Sequence, residues 1–522
     1  MAAMKKILRV VLSRTFAFVI LVLLQIGIAV FIFNYLAQLG SFAYTAITLI
    51  SVLVLVTMME RDTLNPSYKL MWLLILVMIP ATGTLLYLLW GHRDVPDRQK
   101  GYMLEAESSA RMALHQQPQV MEELKKANRA AYQSAIYLLR YAQAPVYSGT
   151  QVEYYAGGEQ FFPPFLEALK NAEKFIFLEY FIIDEGYMWN TTLEVLQQKA
   201  AEGVDVRIIY DGIGSLFTLP HSYPKKLRAM GIKCEVFSPI TVTMHISQYA
   251  MLNHRDHRKI AVVDGNVAFS GGLNLADEYI NAVTRYGEWK DSAFRLTGDA
   301  AYGLTVSFLK MWNTLAKTGE DYQSYRPVPA ALPPGGQMWE KGMVQPYTDS
   351  PLDTESVAEN AYLNIINNAH EYVYIVTPYL ILDHEMISCL SLAAKKGVDV
   401  RILTPKIPDK PTVFLVTQSY YKVLLEAGVR IFEFTPGFAH AKMYAADDKQ
   451  AIIGSANMDY RSLYLHFENC TSFYGGPVVH EVKEDILACI ARGEEVTLEK
   501  VHSMPLHRRF LQIIARFFAP ML

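Results

Sequence analysis

Apolar positions are unevenly spread along this chain. Three runs near the front, residues 15–36, 42–59 and 70–90, contain no charged side chain. A bilayer crossing needs about 20 apolar residues, so each run predicts a membrane helix, the second at the short limit. The first is too long for the apolar core of a signal peptide, and no small-residue cleavage site precedes the next run. Lys5, Lys6, Arg9 and Arg14 lie before the first run and favour a cytoplasmic N-terminus. Arg93, Arg98 and Lys100 follow the third and favour the opposite orientation for three spans. Both signals hold together if one run is re-entrant or interfacial. The region 1–93 is thus read as α-helical and transmembrane.

Behind it the pattern changes. Residues 94–150 alternate charge signs among Ala, Glu, Gln and Lys and predict a helical connector. From residue 151 apolar runs alternate with helical periodicity. KFIFLEYFIID (174–184) predicts a buried strand, 193–201 a helix ended by Gly203, VDVRIIY (204–210) a strand, 224–230 a helix, and KCEVF (233–237) a strand. Strands alternating with helices predict right-handed βαβ units and a mostly parallel sheet.

The same order then recurs. YVYIVTPYLILD (372–383) matches the first strand, GVDVRIL (397–403) matches GVDVRII (203–209), and GVRIFEF (428–434) matches GIKCEVF (231–237). The Pro-rich stretch 326–340 separates the halves. The expected architecture is α/β, with two similar lobes over 151–325 and 341–500 related by a pseudo-twofold. An amphipathic segment, 501–522, ends the chain, with basic and aromatic faces suited to an anionic lipid surface. The first lobe carries an insertion, because Phe237 to His257 is 20 positions and Phe434 to His440 is 6. Its extra apolar residues, 240–253, predict a loop over the site or one dipping toward the membrane.

After this insertion comes the strongest signal. DHRKIAVVDGNVAFSGGLN holds His257, Lys259 and Asp264, then Gly271, Gly272 and Asn274. AHAKMYAADDKQAIIGSAN holds His440, Lys442 and Asp447, then Gly454, Ser455 and Asn457. Both read H-x-K-x4-D-x6-G-[SG]-x-N, and repetition at identical spacing excludes chance. Residues i and i+2 of a strand share a face, so each His is expected beside its Lys. A pseudo-twofold would bring both pairs to one cleft.

Imidazole near neutral pH can attack a phosphodiester, and a second, protonated imidazole can supply a proton to the departing alkoxide. Lys259, Lys442, Asn274, Asn457 and Ser455 are of the right type to hold phosphoryl oxygens. Asp291 in GEWKDSAF and Glu468 in LHFENC are candidate orienting acceptors for the imidazoles. Asp264 and Asp447 complete the candidate catalytic set as braces of local structure. A lysine between the His and Asp of each motif argues against a metal ion, and no P-loop or dinucleotide fingerprint is present.

Composition narrows the substrate. The 522 residues carry a net charge of −3, which supplies no electrostatic basis for nucleic-acid binding. The four cysteines, Cys234, Cys389, Cys470 and Cys489, have no ligand-like spacing and read as reduced core residues.

The paired motifs resemble those of the phospholipase D superfamily. With the apolar front end, MIPATGTLLYLLWG (78–91) and the closing RRFLQIIARFFAPML (508–522), nearly the whole chain resembles bacterial cardiolipin synthases. Two departures are Gly272 where the second copy has Ser455, and three apolar runs where many members show two. The resemblance implies phospholipase D-like lobes, His257 as nucleophile, His440 as general acid, and Asp291 and Glu468 as orienting carboxylates. It implies transfer of a phosphatidyl group from one phosphatidylglycerol to another, without cofactor, by a multi-pass protein of the bacterial cell membrane with its lobes facing the cytoplasm. The expected partners are phosphatidylglycerol and anionic membrane lipid, not nucleic acid, with room for a homo-oligomer. The alternatives are a phospholipase D using water as acceptor and a phosphodiester nuclease.

Overall fold

The computed structural model describes residues 23–25, 27–28, 31, 37–61, 64–91, 97–239, 253–328, 332 and 337–521. The chain divides into two units, one formed chiefly by residues 1–96 and one by 97–240 and 254–520.

In the first unit, helix Ala37–Met59 is followed by Pro66–Met78 and Pro80–Leu86. The third apolar run was expected as one helix, but it breaks at Ile79 (φ −137°, ψ 68°), because Pro80 has no N–H to continue the ladder. Ser51 and Thr84 hydroxyls meet at 2.6 Å, and Tyr68 donates to the Gly91 carbonyl at 2.7 Å. Among the described residues no helix is long and apolar enough to cross a membrane. Most of the run 15–36 lies outside those residues, as does nearly all of the insertion 240–253.

The second unit holds both lobes. The first lobe's sheet runs Gln151–Tyr155, Ala293–Thr297, Val267–Gly271, Lys259–Val263, Phe175–Tyr180, Asp205–Asp211, Lys233–Phe237. The second lobe has the corresponding order Met343–Asp349, His466–Tyr474, Gln450–Gly454, Met443–Ala446, Tyr372–Val376, Asp399–Pro405, Arg430–Phe434, extended by Tyr147–Ser148 at one edge and Gly493–Glu495 at the other. The repeat in the sequence is therefore a repeat in topology. The sheets are mixed rather than mostly parallel. Within each lobe's sheet the strands joined by a helical crossover run parallel, as Phe175–Tyr180 does with Asp205–Asp211. Each motif strand instead folds back as a hairpin, Lys259–Val263 on Val267–Gly271 and Met443–Ala446 on Gln450–Gly454, and a tight hairpin is antiparallel by construction.

Central strands such as Phe175–Tyr180 and Tyr372–Val376 are buried along their whole length, which is why they read as continuous apolar runs. Each lobe has its own core, around Phe165, Trp189 and Ile208 in the first and around Tyr362, Ile402 and Leu424 in the second. Helix Arg129–Tyr141 adds Leu138 to the second core. The lobes also exchange helices. Asp299–Ala316 packs on strand Met343–Asp349, and Pro477–Ala491 packs on Gln151–Tyr155. At the latter contact Asp485 accepts from Tyr154 at 2.5 Å and pairs with Lys290 at 2.6 Å. All four cysteines are free and buried.

Candidate active site

The two motifs meet through strand exchange. Just before the first motif, Arg255–Asp256 pairs in parallel with His466–Phe467 of the second lobe, and the His257 N–H donates to the Phe467 carbonyl at 2.9 Å. Just before the second, Gly437–Ala439 pairs in parallel with Glu288–Lys290 of the first lobe, and the His440 N–H donates to the Lys290 carbonyl at 2.7 Å. Each histidine is thereby bonded to the residue preceding the other lobe's carboxylate. The side chains follow. His257 Nδ1 lies 2.9 Å from both carboxylate oxygens of Glu468, and His440 Nδ1 lies 2.6 Å from Asp291 Oδ2. With Nδ1 held by a carboxylate, the proton sits on Nδ1 and Nε2 keeps a lone pair for chemistry. Asp291 and Glu468 thus each hold an imidazole nitrogen, but of the other lobe's histidine.

Neither histidine lies within a strand, contrary to the expected alternation on one face. Both precede it, the strands beginning at Lys259 and Met443. The lysines still reach them. Lys442 Nζ is 3.0 Å from Nδ1 and 3.1 Å from Nε2 of His440, and each lysine donates to the carbonyl of its own motif's histidine. All four side chains are buried. Phe181 stands 4.9 Å from His257, and Tyr279 and Trp289 stand 5.4 and 5.3 Å from His440, centroid to centroid.

Burial and the lysines control the charges. His257 is pushed well below the usual imidazole range by burial, then by Lys259, Lys442 and His440, which places both motifs within electrostatic reach. His440 is lowered by burial and Lys442 to about 4, with Asp291 opposing. Burial lowers Lys259 to about 7 and Lys442 to about 8. Burial pushes the Asp291 carboxyl up, but His440 and Lys442 outweigh it and hold the group below its ordinary value.

The remaining motif residues divide in their use. Asp264 accepts the N–H groups of Glu173, Lys174 and Phe175 at 2.7–2.9 Å, and Asp447 those of His370, Glu371 and Tyr372 at 2.8–2.9 Å. Both adopt φ 53°, a left-handed turn that Asp tolerates. They tie the motif hairpin to the start of the neighbouring strand and do not point their carboxylates at an imidazole. Asp447→Ala is therefore expected to lower stability by about 3 kcal/mol, with Asn recovering only part of it because its amide nitrogen cannot accept an N–H. Denaturant titration checks this, and kcat of the folded enzyme should change by no more than about three-fold.

Ser455 donates to Glu468 Oε2 at 2.5 Å rather than presenting its hydroxyl to a phosphate. The departure at Gly272 is explained by Asp291, since a Cβ there would lie 2.1 Å from Asp291 Oδ1. Asn274 accepts from the Ile182 N–H at 3.1 Å and donates to Tyr279 Oη at 2.6 Å. Asn457 differs, its buried Oδ1 having no hydrogen-bond partner among the described residues.

Two participants escaped the sequence reading. Asn469 joins the lobes, accepting from the Lys259 N–H at 2.9 Å and donating to Ser270 at 2.6 Å. His466 Nδ1 lies 3.5 Å from Glu468 Oε1, with its ring 5.5 Å from that of His257. The signal was present in LHFENC, where His466 and Glu468 are spaced i, i+2 on one strand. The ligand atoms of His257, His466 and Glu468 lie within 4.8 Å of one another and could hold a metal ion, against the positive charge of Lys259 and Lys442.

Comparison with known proteins shows the family. A family model described as "Cardiolipin synthase, PLD-like domain" matches twice, over residues 165–286 and 362–490, and one described as "Phospholipase_D-nuclease N-terminal" matches 46–92. An uncharacterized protein of Streptococcus mutans is 43% identical, the alignment covering 89% of this chain and 98% of that one. Cardiolipin synthases of Geobacillus kaustophilus and Halalkalibacterium halodurans are 33% and 32% identical, covering 90% and 92% of this chain and 92% and 94% of their own lengths. Among solved structures, phosphatidylserine synthase of Haemophilus influenzae superposes with a TM-score of 0.55 at 14% identity, covering 74% of this chain and 98% of that one, a likeness of fold.

Proposed function

The chain belongs to the family of phospholipase D-like cardiolipin synthases, and from that premise we propose that it transfers a phosphatidyl group from one phosphatidylglycerol to a second, giving cardiolipin and glycerol. The observation that carries the mechanism is the crossed pairing of His257 with Glu468 and of His440 with Asp291. It leaves two Nε2 atoms, one from each lobe, to act on one phosphorus.

His257 is the nucleophile. Its Nε2 attacks phosphorus as the bond to the glycerol headgroup oxygen breaks, and His440, protonated on Nε2, gives its proton to that oxygen. The products of this step are glycerol and a phosphatidyl-histidine. A hydroxyl of the second phosphatidylglycerol then loses its proton to His440 and attacks phosphorus, and His257 departs. The roles divide this way because Asp291, at 2.6 Å, offsets part of the lowering that burial and Lys442 impose on His440, whereas burial, Lys259 and Lys442 push His257 well below the imidazole range. Lys259, Lys442 and Asn457 hold the phosphoryl oxygens in this reading.

Charge bookkeeping supports this. Two lysines against two carboxylates make the empty site neutral when both imidazoles are neutral. A phosphodiester adds one negative charge, which one imidazolium balances. Substrate binding is therefore expected to take up about one proton near pH 6, where both lysines are charged, measurable as a buffer-dependent binding enthalpy. The lysines set the alkaline limit. Their lowered values mean that cationic charge present at low pH is lost as pH rises through about 7 for Lys259 and about 8 for Lys442. KM for phosphatidylglycerol is expected to climb above about pH 8 more than kcat falls.

The uncharged runs 15–36, 42–59 and 70–90 hold the enzyme in the cell membrane where its substrates reside, with the lobes on the cytoplasmic side. Resistance to alkaline extraction, and protease sensitivity of the lobes only in opened vesicles of cytoplasm-inside orientation, test that placement.

The activity is tested with phosphatidylglycerol as sole lipid in mixed micelles, without metal or nucleotide. Equal amounts of cardiolipin and glycerol are expected. Glycerol with phosphatidic acid would instead identify water as acceptor, and no turnover would refute the reading.

A further inference from the structure

The helix Leu506–Phe517 is mounted with its apolar side outward. Leu506, Phe510 and Ile513 are 81%, 62% and 69% exposed, and Leu511 and Ile514 are exposed beside them. At 3.6 residues per turn, positions 506, 510, 513 and 514 form one stripe. One edge faces the protein, while His507, Arg508 and Arg516 remain exposed along the rim of the stripe. Gln512 is buried, and Arg508 donates to Gln418 Oε1 at 2.9 Å. Arg516 donates to the Ser419 carbonyl at 3.3 Å with its guanidinium 4.2 Å from the Tyr420 ring. Arg509 donates to the His502 carbonyl. A helix docked on the body for the sake of its own core would bury Phe510 and Ile513. This one is instead anchored by Ala515 against the second core and by polar contacts to helix Pro411–Glu426.

We propose that this stripe inserts into the surface of an anionic bilayer. The inference rests on the lipid-transfer reading above. It adds an interfacial contact that does not depend on any membrane-crossing segment. Charge selects the occupant. His507, Arg508, Arg509 and Arg516 stand on the helix with no Asp or Glu, which complements anionic headgroups. A second copy docked about a twofold axis would set the same stripe, with its arginine rim, against itself, so like charges would meet. A bilayer accepts the apolar side chains while its headgroups pair with the rim. Its position fixes the second lobe against the lipid surface, so that substrate enters from the membrane.

The test labels full-length Ile513→Cys with bimane, the native cysteines being buried. The protein is reconstituted in phosphatidylglycerol–phosphatidylcholine vesicles whose acyl chains are brominated near the headgroup. Quenching of about two-fold or more is expected, and less in pure phosphatidylcholine, as insertion about 5–10 Å deep requires. Phe510→Glu in the same protein should abolish the quenching. It should also slow cardiolipin formation from vesicles by about ten-fold, while turnover of monomeric short-chain phosphatidylglycerol stays within about two-fold. Unquenched bimane in anionic vesicles would overturn the proposal, as would a mass doubled in light scattering by a contact that Phe510→Glu breaks. Quenching without any turnover would uphold the docking surface and refute only the assigned reaction.

Discussion

Replacing His257 with Asn is expected to lower phosphatidyl transfer by a factor of about 10⁴ or more while the protein stays folded. Asn is the informative choice because its amide N–H can donate to Glu468 where Nδ1 did, so the buried carboxylate is not left unpaired. What is lost is the Nε2 lone pair. His440 cannot substitute for it, because its Nδ1 is fixed to Asp291 and its proton is needed by the leaving oxygen. The loss should fall on kcat, with KM changed by about three-fold at most, since Lys259 and Lys442 still receive the phosphate. The assay is cardiolipin formed per folded enzyme, with near-ultraviolet circular dichroism as the control for folding.

The second large effect is expected at Asp291. Asp291→Asn should cost about 10² to 10⁴ in kcat, because the carboxylate both orients His440 and supplies the attraction that offsets burial and Lys442. The sign for pH follows. Without Asp291 the proton on His440 binds less tightly, so the limb that requires protonated His440 moves to lower pH. A substrate with an acidic leaving group, such as a p-nitrophenyl phosphodiester, should lose much less, since its departure needs little protonation. Gly272→Ser should act in the same direction without touching a catalytic atom, its Cβ falling 2.1 Å from Asp291 Oδ1. A comparable fall in kcat for both variants would tie the effect to carboxylate position. An unimpaired Gly272→Ser enzyme would show that Asp291 tolerates displacement.

These effects follow from contacts that the sequence revealed only in part. The duplicated H-x-K-x4-D pattern made both lobes and the six motif residues legible, and the strands Phe175–Tyr180 and Tyr372–Val376, buried along their whole length, read as apolar runs. Strand direction was less legible. The βαβ units at 175–211 are local, whereas the antiparallel partners of Phe175–Tyr180 and Tyr372–Val376 are motif strands far along the chain. The crossing of Glu468 to His257 was not legible at all, because 211 residues separate them and nothing in either half states that the preceding backbone pairs across lobes. Ser455 and Asn274 looked like phosphate donors by type, but their hydrogen bonds are made to Glu468, and to Ile182 and Tyr279. The break at Ile79 had its signal in Pro80, set against the pull of an unbroken apolar run.

The most direct test of the account is a rapid-mixing experiment with a phosphatidyl p-nitrophenol and the His440→Ala enzyme. The activated leaving group bypasses the missing acid, while the missing base stops the second step. The account predicts a burst of about one equivalent of p-nitrophenolate, with the phosphatidyl group recovered on His257, and no burst from His257→Ala. A burst from His257→Ala, or a phosphatidyl group recovered on His440, would contradict it.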